Sequence, residues 1–361
     1  MSSSRRRKPT LDDVAEAVGV SRATVSNAYN RTDQLSAELR EQVLRAAKDL
    51  GYTGPNPSAR SLATNRTGVV AFMLDGGLSV AFTDPALSIT LDALASEVDS
   101  AGHSLLLLPG GPGGGPRAER VLTAQADIAV AYSLPDGALA LQAVHDRGLP
   151  MVVIDQPESS DAAVVRIDDR GGGAEAARHL LALGHRRFGV MSLQCSSAAH
   201  CGRVSAVDAA KSPYRVTRER LAGYLETLDE AGIDPAQVPV WEAPGSSRVS
   251  AMASARELLE HRRPTAILCM SDELAIATMS VAKQLGLRVP RDLSVVGFDD
   301  THSARWADPA LTTIRQDLTR KGRVAGELVL RLLAGHGVPE PAVLDVELVI
   351  RRSTAPLSPA P

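Results

Sequence analysis

From residue 67 onward the chain repeats one pattern, a short continuous apolar run followed by an amphipathic segment of helical length. In the first series, apolar runs fall at 69–74, 104–108, 128–132 and 151–154, with helical spacing over 85–101, 117–125 and 138–147. The second series places runs at 164–167, 188–192, 238–241, 266–270 and 294–298, with helices over 174–183, 218–231, 250–261 and 273–285. A strand with no polar alternation is covered on both faces, and the helices between strands supply the crossovers that parallel pairing needs. About ten strands in two successive series predict two α/β lobes with parallel sheets and a cleft between them. The Gly-rich stretch 110–116 and the polar stretch 194–216 interrupt the pattern and read as mobile surface connections.

The residues ahead of this core follow a different rule. Thr10 is placed to N-cap a helix, with Asp13 as the acidic partner of a capping box, and Leu11, Val14, Ala15 and Val18 recur at helical spacing behind it. Gly19 breaks that helix and Ser21 can cap the next. A third helix starts near Ser36, carries Leu39, Val43, Ala46, Ala47 and Leu50 on one side, and stops at Gly51. Two short helices about a Gly turn, the second of them polar, describe a helix-turn-helix. Its second helix offers Arg22, Ala23, Ser26 and Asn27 near its N-terminal end, where Arg can read guanine and Asn adenine through paired hydrogen bonds. Thr10, Ser21, Thr24 and Asn30 are placed for phosphate contacts, which orient a protein on DNA without reading sequence.

Charge supports this division. The net charge is −3, yet residues 1–66 hold 11 Lys/Arg against 7 Asp/Glu, and the remainder holds 28 against 35. A basic head on an acidic body predicts that only the head meets a polyanion. Between them, Pro55-Asn56-Pro57 opens a segment, 58–63, that could form one short helix, too short to be stable alone in water.

Several stretches resemble one family. Residues 10–30, TLDDVAEAVGVSRATVSNAYN, resemble the DNA-binding head of the lactose/galactose repressor (LacI/GalR) family, and 55–62, PNPSARSL, resemble its hinge. LALGH at 181–185 in its setting after Leu180, Val289-Pro290, SVVGFDD at 294–300 and LTTIRQD at 311–317 resemble its effector core. The matches run in family order from residue 10 to about 354. The resemblance implies a helix-turn-helix head (1–53), a hinge (54–66) and a two-lobed α/β core like that of periplasmic binding proteins (67–361). It also implies a homodimer that reads pseudo-palindromic double-stranded operator DNA and answers to a small-molecule effector, with repression as the family's usual sign. Leu62 takes the place of the leucine that the family's paired hinge helices push into the minor groove, with Asn56, Ala59 and Arg60 beside it. The linker 52–56, YTGPN, is one residue longer than the commoner spacing.

For the cleft, the resemblance places effector contacts at Asp155, Arg220, Ser271 and Asp299, with Gln316 in a crossover near them. Strand ends are where ligands sit in open α/β sheets, and two carboxylate acceptors with an Arg fork suit a polyhydroxylated molecule such as a sugar. Each residue could equally cap a loop or sit in a salt bridge. Aromatics are only 3% of the chain, so Phe82 and Trp306 are the candidate stacking faces. Ser271 stands where the family often has Asn.

Other functions leave fainter marks. Residues 171–176, GGGAEA, fit a dinucleotide fingerprint, but the next strand ends in Leu193-Gln194 rather than the acidic residue that would hold a ribose, and the glycines read as a turn before a helix. A periplasmic-type sugar-binding protein would share the core but carry a secretory signal, and Met1 to Lys8 have no apolar run behind them. The readings are therefore a regulator or, as alternatives, a binding protein without regulatory output or a dinucleotide enzyme. No catalytic residue, metal or cofactor is expected. Cys195, Cys201 and Cys269 make no disulfide framework, and no apolar run reaches the ~18 residues of a membrane span, so a cytoplasmic protein is expected. Cys195 and Cys201, six apart in a polar loop, could bind a metal or respond to oxidation but, with no partner pair nearby, read as inert surface thiols, and His179 and His185 read as packing or capping groups.

Overall fold

A computed structural model of the chain describes residues 9–30, 34–54, 66–111, 114–196, 200–243 and 248–357, the side chain of Asn30 excepted. The chain divides into two compact units between Thr67 and Gly68. The first holds helices α1 (Leu11–Val18), α2 (Arg22–Asn30) and α3 (Ala37–Leu50). The capping box forms in full: the Thr10 amide donates to Asp13 at 2.6 Å and the Asp13 amide returns to the Thr10 hydroxyl. Ser21 and Ser36 accept from the amides of Thr24 and Leu39, so each helix starts on a side-chain cap. Val14, Val25, Ala28 and Val43 are wholly buried between the three helices, and Tyr29 meets Tyr52 edge-on.

The second unit opens with β1 (Val69–Leu74), α4 (Val80–Thr83), α5 (Pro85–Ser100), β2 (Ser104–Pro109), α6 (Ala118–Thr123) and β3 (Ile128–Tyr132). Next come α7 (Leu139–Asp146), β4 (Met151–Ile154), β5 (Ala163–Ile167), α8 (Asp169–Ala182), β6 (Phe188–Ser192), β7 (Gly202–Val204) and α9 (Ala206–Ala209). Then follow α10 (Arg215–Glu230), β8 (Val240–Glu242), α11 (Arg248–Arg262), β9 (Ala266–Cys269), α12 (Asp272–Gln284), β10 (Ser294–Asp299) and α13 (His302–Trp306). The unit closes with β11 (Thr312–Gln316), α14 (Leu318–Leu333), β12 (Ala342–Leu344) and β13 (Val346–Val349).

The strands form two sheets. Lobe 1 is a six-stranded, wholly parallel sheet in the order β12-β5-β4-β3-β1-β2. Lobe 2 has the order β13-β11-β10-β9-β6-β8-β7, parallel except at its two edges, β13 and β7. The central strands are buried almost throughout, as their unbroken apolar sequence requires. The chain passes between lobes three times: between β5 and α8, between β11 and α14, and between β12 and β13. At the first two passages an aspartate, Asp168 or Asp317, caps the helix that follows.

Two expectations change here. The described part of the stretch 194–216 carries ordered elements: β7 extends the lobe 2 sheet, Ala209 and Ser212 are buried, and α10 starts three residues earlier than its apolar spacing indicates. The glycines at 171–173 are not a turn before a helix, because α8 begins at Asp169 and contains them. Asp168 supplies the cap that a turn would otherwise provide. A Cβ on Gly173 would stand 2.7 Å from the carbonyl oxygen of Arg220, and one on Gly223 would stand 2.2 Å from that of Arg170. The glycines let α8 and α10 cross backbone to backbone.

Candidate functional site

The cleft between the two sheets encloses about 280 Å³. Strand ends from both lobes reach it. Asp75, Ser133 and Asp155 follow β1, β3 and β4, and Asp299 ends β10. Ser133 (φ 50°), Asp155 (φ 66°) and Asp299 (φ 115°) hold left-handed backbone that side-chain-bearing residues rarely adopt. Such conformations cost roughly 1–3 kcal/mol each and cluster where a ligand must be met.

Behind the cleft wall the expected residues join one buried polar chain. Lys321 of α14, 1% exposed, donates to both carboxylate oxygens of Asp155 at 2.9 and 2.8 Å and to the Gln316 side-chain carbonyl. Gln316 donates through Nε2 to Asp299 at 2.6 Å. Arg220 of α10 stands 3.6 Å from the same Asp299 oxygen and donates through Nε to Asp169 at 2.9 Å. Its guanidinium lies 3.6 Å above the Phe298 ring. Arg215 pairs with the other oxygen of Asp169, which is wholly buried. Burial raises the Asp299 carboxyl to about 6, against the pull of Arg220 and the hydrogen bond from Gln316. Burial likewise raises Asp84 and Glu273.

Of the sequence-derived effector residues, Asp155, Arg220, Ser271, Asp299 and Gln316 come together at the cleft. Their salt-bridging and capping roles are realised too, since the Ser271 hydroxyl accepts from the Leu274 amide as the N-cap of α12. Phe82 and Trp306 are not brought there: they are 72% and 86% exposed and absent from the lining. The aromatic lining is instead Tyr132 and Tyr214. Sequence reading also missed Asp75, Asp84, Glu273, Arg248 and the buried Lys321. The strand-end rule would have found Asp75 and Tyr132. Nothing in the sequence marks Lys321, which reads as a solvent-facing residue of an amphipathic helix.

The thiols divide. Cys195 is buried, not at the surface, and burial pushes it up to about 11; Cys201 is exposed. His185 is buried between Thr265, Ser294 and the Ala355 carbonyl, and His179 meets Thr354. Among the described residues no cluster of three or more metal-ligating side chains occurs, and no helix is long and apolar enough to cross a membrane.

In the head, Val25 and Ala28 face inward, while Arg22 and Ala23 are exposed and Thr24, Ser26 and Asn27 half-buried. Arg22 makes an exposed ion pair with Asp12 at 3.6 Å, and Asn27 donates to Gln34 at 3.2 Å. The Thr10 and Ser21 hydroxyls serve the helix caps. Asn56, Ala59, Arg60 and Leu62, and the side chain of Asn30, lie outside the described residues.

Residues 10–56 match the family model for bacterial regulatory proteins of the lacI family, and residues 177–354 match a periplasmic binding protein-like domain. The chain is 38% identical over 355 residues to the HTH-type transcriptional regulator IpsA of Corynebacterium glutamicum, covering 96% of this chain and 98% of that protein. The lac repressor dimer bound to operator and the anti-inducer ONPF superimposes with a TM-score of 0.74 at 28% identity, covering 97% of this chain and all of that one. A CelR–cellobiose complex gives 0.69 at 28% identity, over 96% of this chain and 99% of the other.

Proposed function

The chain belongs to the lacI family of bacterial transcriptional regulators, and from that premise we propose that a neutral polyhydroxylated effector in its cleft controls how tightly a cytoplasmic homodimer holds pseudo-palindromic operator DNA. The observation that carries the effector class is the balance of charge in the lining. Five carboxylates, those of Asp75, Asp84, Asp155, Glu273 and Asp299, face two guanidinium groups, those of Arg220 and Arg248. Carboxylates accept hydroxyl hydrogens and repel phosphate, so the cleft favours an uncharged sugar over a sugar phosphate. The complexes of related proteins with cellobiose and ONPF agree with that class. In the head, Arg22, Ala23, Ser26 and Asn27 read base edges, and 54–66 acts as the hinge with Leu62 as its wedge.

A thermal-shift screen against neutral sugars, sugar phosphates, nucleosides and purines tests the effector class. A ligand at ~100 times its dissociation constant adds roughly 2.7 kcal/mol, a readily seen shift. The expected hit is a neutral sugar; stabilisation by phosphate esters or purines alone would overturn the assignment.

The raised Asp299 carboxyl gives the interaction a pH signature. Ligand hydroxyls need the ionised acceptor, so affinity is expected to level off above pH about 6 and to fall about tenfold per unit below it. Stability moves the other way. Between the ordinary carboxylate range and about 6 the native state binds the proton and the unfolded chain does not, so this group stabilises the fold as pH falls. Calorimetric titration at pH 5 and 7 checks the sign, since affinity lost through unfolding would coincide with a falling midpoint.

For DNA, Arg22→Ala is expected to relax specificity at one base pair per half-site, costing roughly 1–3 kcal/mol. Operator selection from a randomised pool reads this out directly, and an unchanged selected sequence counts against the role.

A further inference from the structure

Lobe 2 reaches across to lobe 1 at one end of the cleft, through the segment between β7 and α10. After β7, Ser205 caps the short helix α9, and Ser212 and Tyr214 turn inward, 1% and 6% exposed. From there a run of polar contacts points into lobe 1, beside those that Arg215 and Thr217 make to Asp169 and the Gln194 carbonyl on their own side. The Pro213 carbonyl accepts from the Asp136 amide at 2.8 Å. The Tyr214 phenol donates to Asp75 at 2.9 Å, and the other Asp75 oxygen accepts from the Gly115 amide. The Val216 amide donates to the Gln156 side chain at 2.8 Å, while Arg215 pairs with Glu158 and Arg218 with Asp136. Tyr214 and Asp75 both line the cleft.

We infer that residues 205–218 form a strap holding the two lobes together before an effector arrives, with the Tyr214 phenol on Asp75 as its catch. The inference rests on the cleft being the effector site. A phenol donating to a carboxylate is a charge-assisted bond, stronger than a neutral one. Burial and the Asp75 charge raise the Tyr214 hydroxyl far above its ordinary value, so it keeps its proton and remains a donor. Asp75 has a double role: it is a cleft acceptor, and the phenol of the strap already holds one of its two oxygens. An effector that hydrogen-bonds to Asp75 competes with the phenol, and its entry and release pass through the opening of the catch.

The test is amide hydrogen exchange, followed by mass spectrometry, on the full-length protein without ligand. Three amides give the readout: those of Asp136 and Val216, which bridge the strap and lobe 1, and that of Gly115, which is held by the Asp75 acceptor of the catch. Tyr214→Phe keeps the ring and removes only the catch. It is expected to speed exchange at these amides on the order of tenfold, with β1 and β10 at wild-type rates. Unchanged exchange at all three overturns the inference, as does acceleration spread equally through both sheets. Arg218→Ala breaks the second tie from an accessible helix face and is expected to speed the Asp136 amide about fivefold; wild-type protection there also counts against the strap. Since no ligand is present, this result stands whatever the effector screen finds, and the two readings fail separately.

Discussion

Arg220→Ala is expected to destabilise the core by about 3–5 kcal/mol and to remove effector binding in the same step. The guanidinium is 5% exposed and serves four partners: Asp169, Asp299, the Met270 carbonyl and the Phe298 ring. Among the described residues, removing it leaves Asp169 with Arg215 and Asp299 with no cation within salt-bridge distance. Both carboxylates are already pushed upward by burial, so they would answer by taking up protons, and Asp299 would lose its charge as an acceptor. Arg220→Lys restores a charge but not the fork that spans two acids and a carbonyl, and should recover stability only in part. Urea unfolding of both variants with calorimetric titration of the screened sugar separates the effects. A loss below about 1 kcal/mol for the alanine variant would show that the network relaxes around the gap and that Arg220 does not organise it.

The second large effect comes from one methyl group. Gly223→Ala puts a Cβ 2.2 Å from the Arg170 carbonyl oxygen and 2.9 Å from the Ala174 amide nitrogen. Both atoms are backbone, so no side chain can swing aside, and α8 and α10 must move apart. Overpacking of this kind costs 1–3 kcal/mol and more where the backbone must shift; about 3 kcal/mol or more is expected here. Arg220 lies one turn before Gly223 on the same helix, so separation also displaces the guanidinium from Asp169, which belongs to α8. The expected result is a lowered unfolding midpoint together with weakened ligand affinity. A variant with wild-type stability would mean that the crossing is looser than these distances state.

The layered core was legible because its signal is redundant. Each buried parallel strand reads as an unbroken apolar run, and Thr10, Ser21 and Ser36 announce their helices with capping chemistry that acts within three residues. Pairings across long separations carry no such local mark. Three edge strands, β7, β12 and β13, are three or four residues long, too short for periodicity to register. The candidate site divides on the same line. Asp155 and Asp299 stand at strand ends and could be placed by topology. Lys321 owes its burial to Asp155, 166 residues away, and Tyr214 owes its position to Asp75, 139 residues away. Aromatic character, the mark that singles out Phe82 and Trp306 in the sequence, says nothing of the direction a side chain takes; the helices bearing them are four and five residues long and leave them in solvent. The glycines at 171–173 misled because Gly signals a turn only when nothing else caps the helix, and Asp168 does.

The three passages between lobes also set the order in which the protein can be completed during synthesis. Lobe 1 gains its first five strands by Ile167, but its sheet closes with β12, and the helix α14 packed on α5 ends only at Leu333. All of lobe 2 except β13 is made in between. At bacterial translation speeds that interval lasts roughly ten to thirty seconds. Throughout it a half-built sheet carries apolar surface with its covering helix still unsynthesised, a substrate for chaperones on the ribosome. Because the lobe interrupted first is finished after most of the other, neither half is a folding unit that the nascent chain can bank before its last hundred residues emerge.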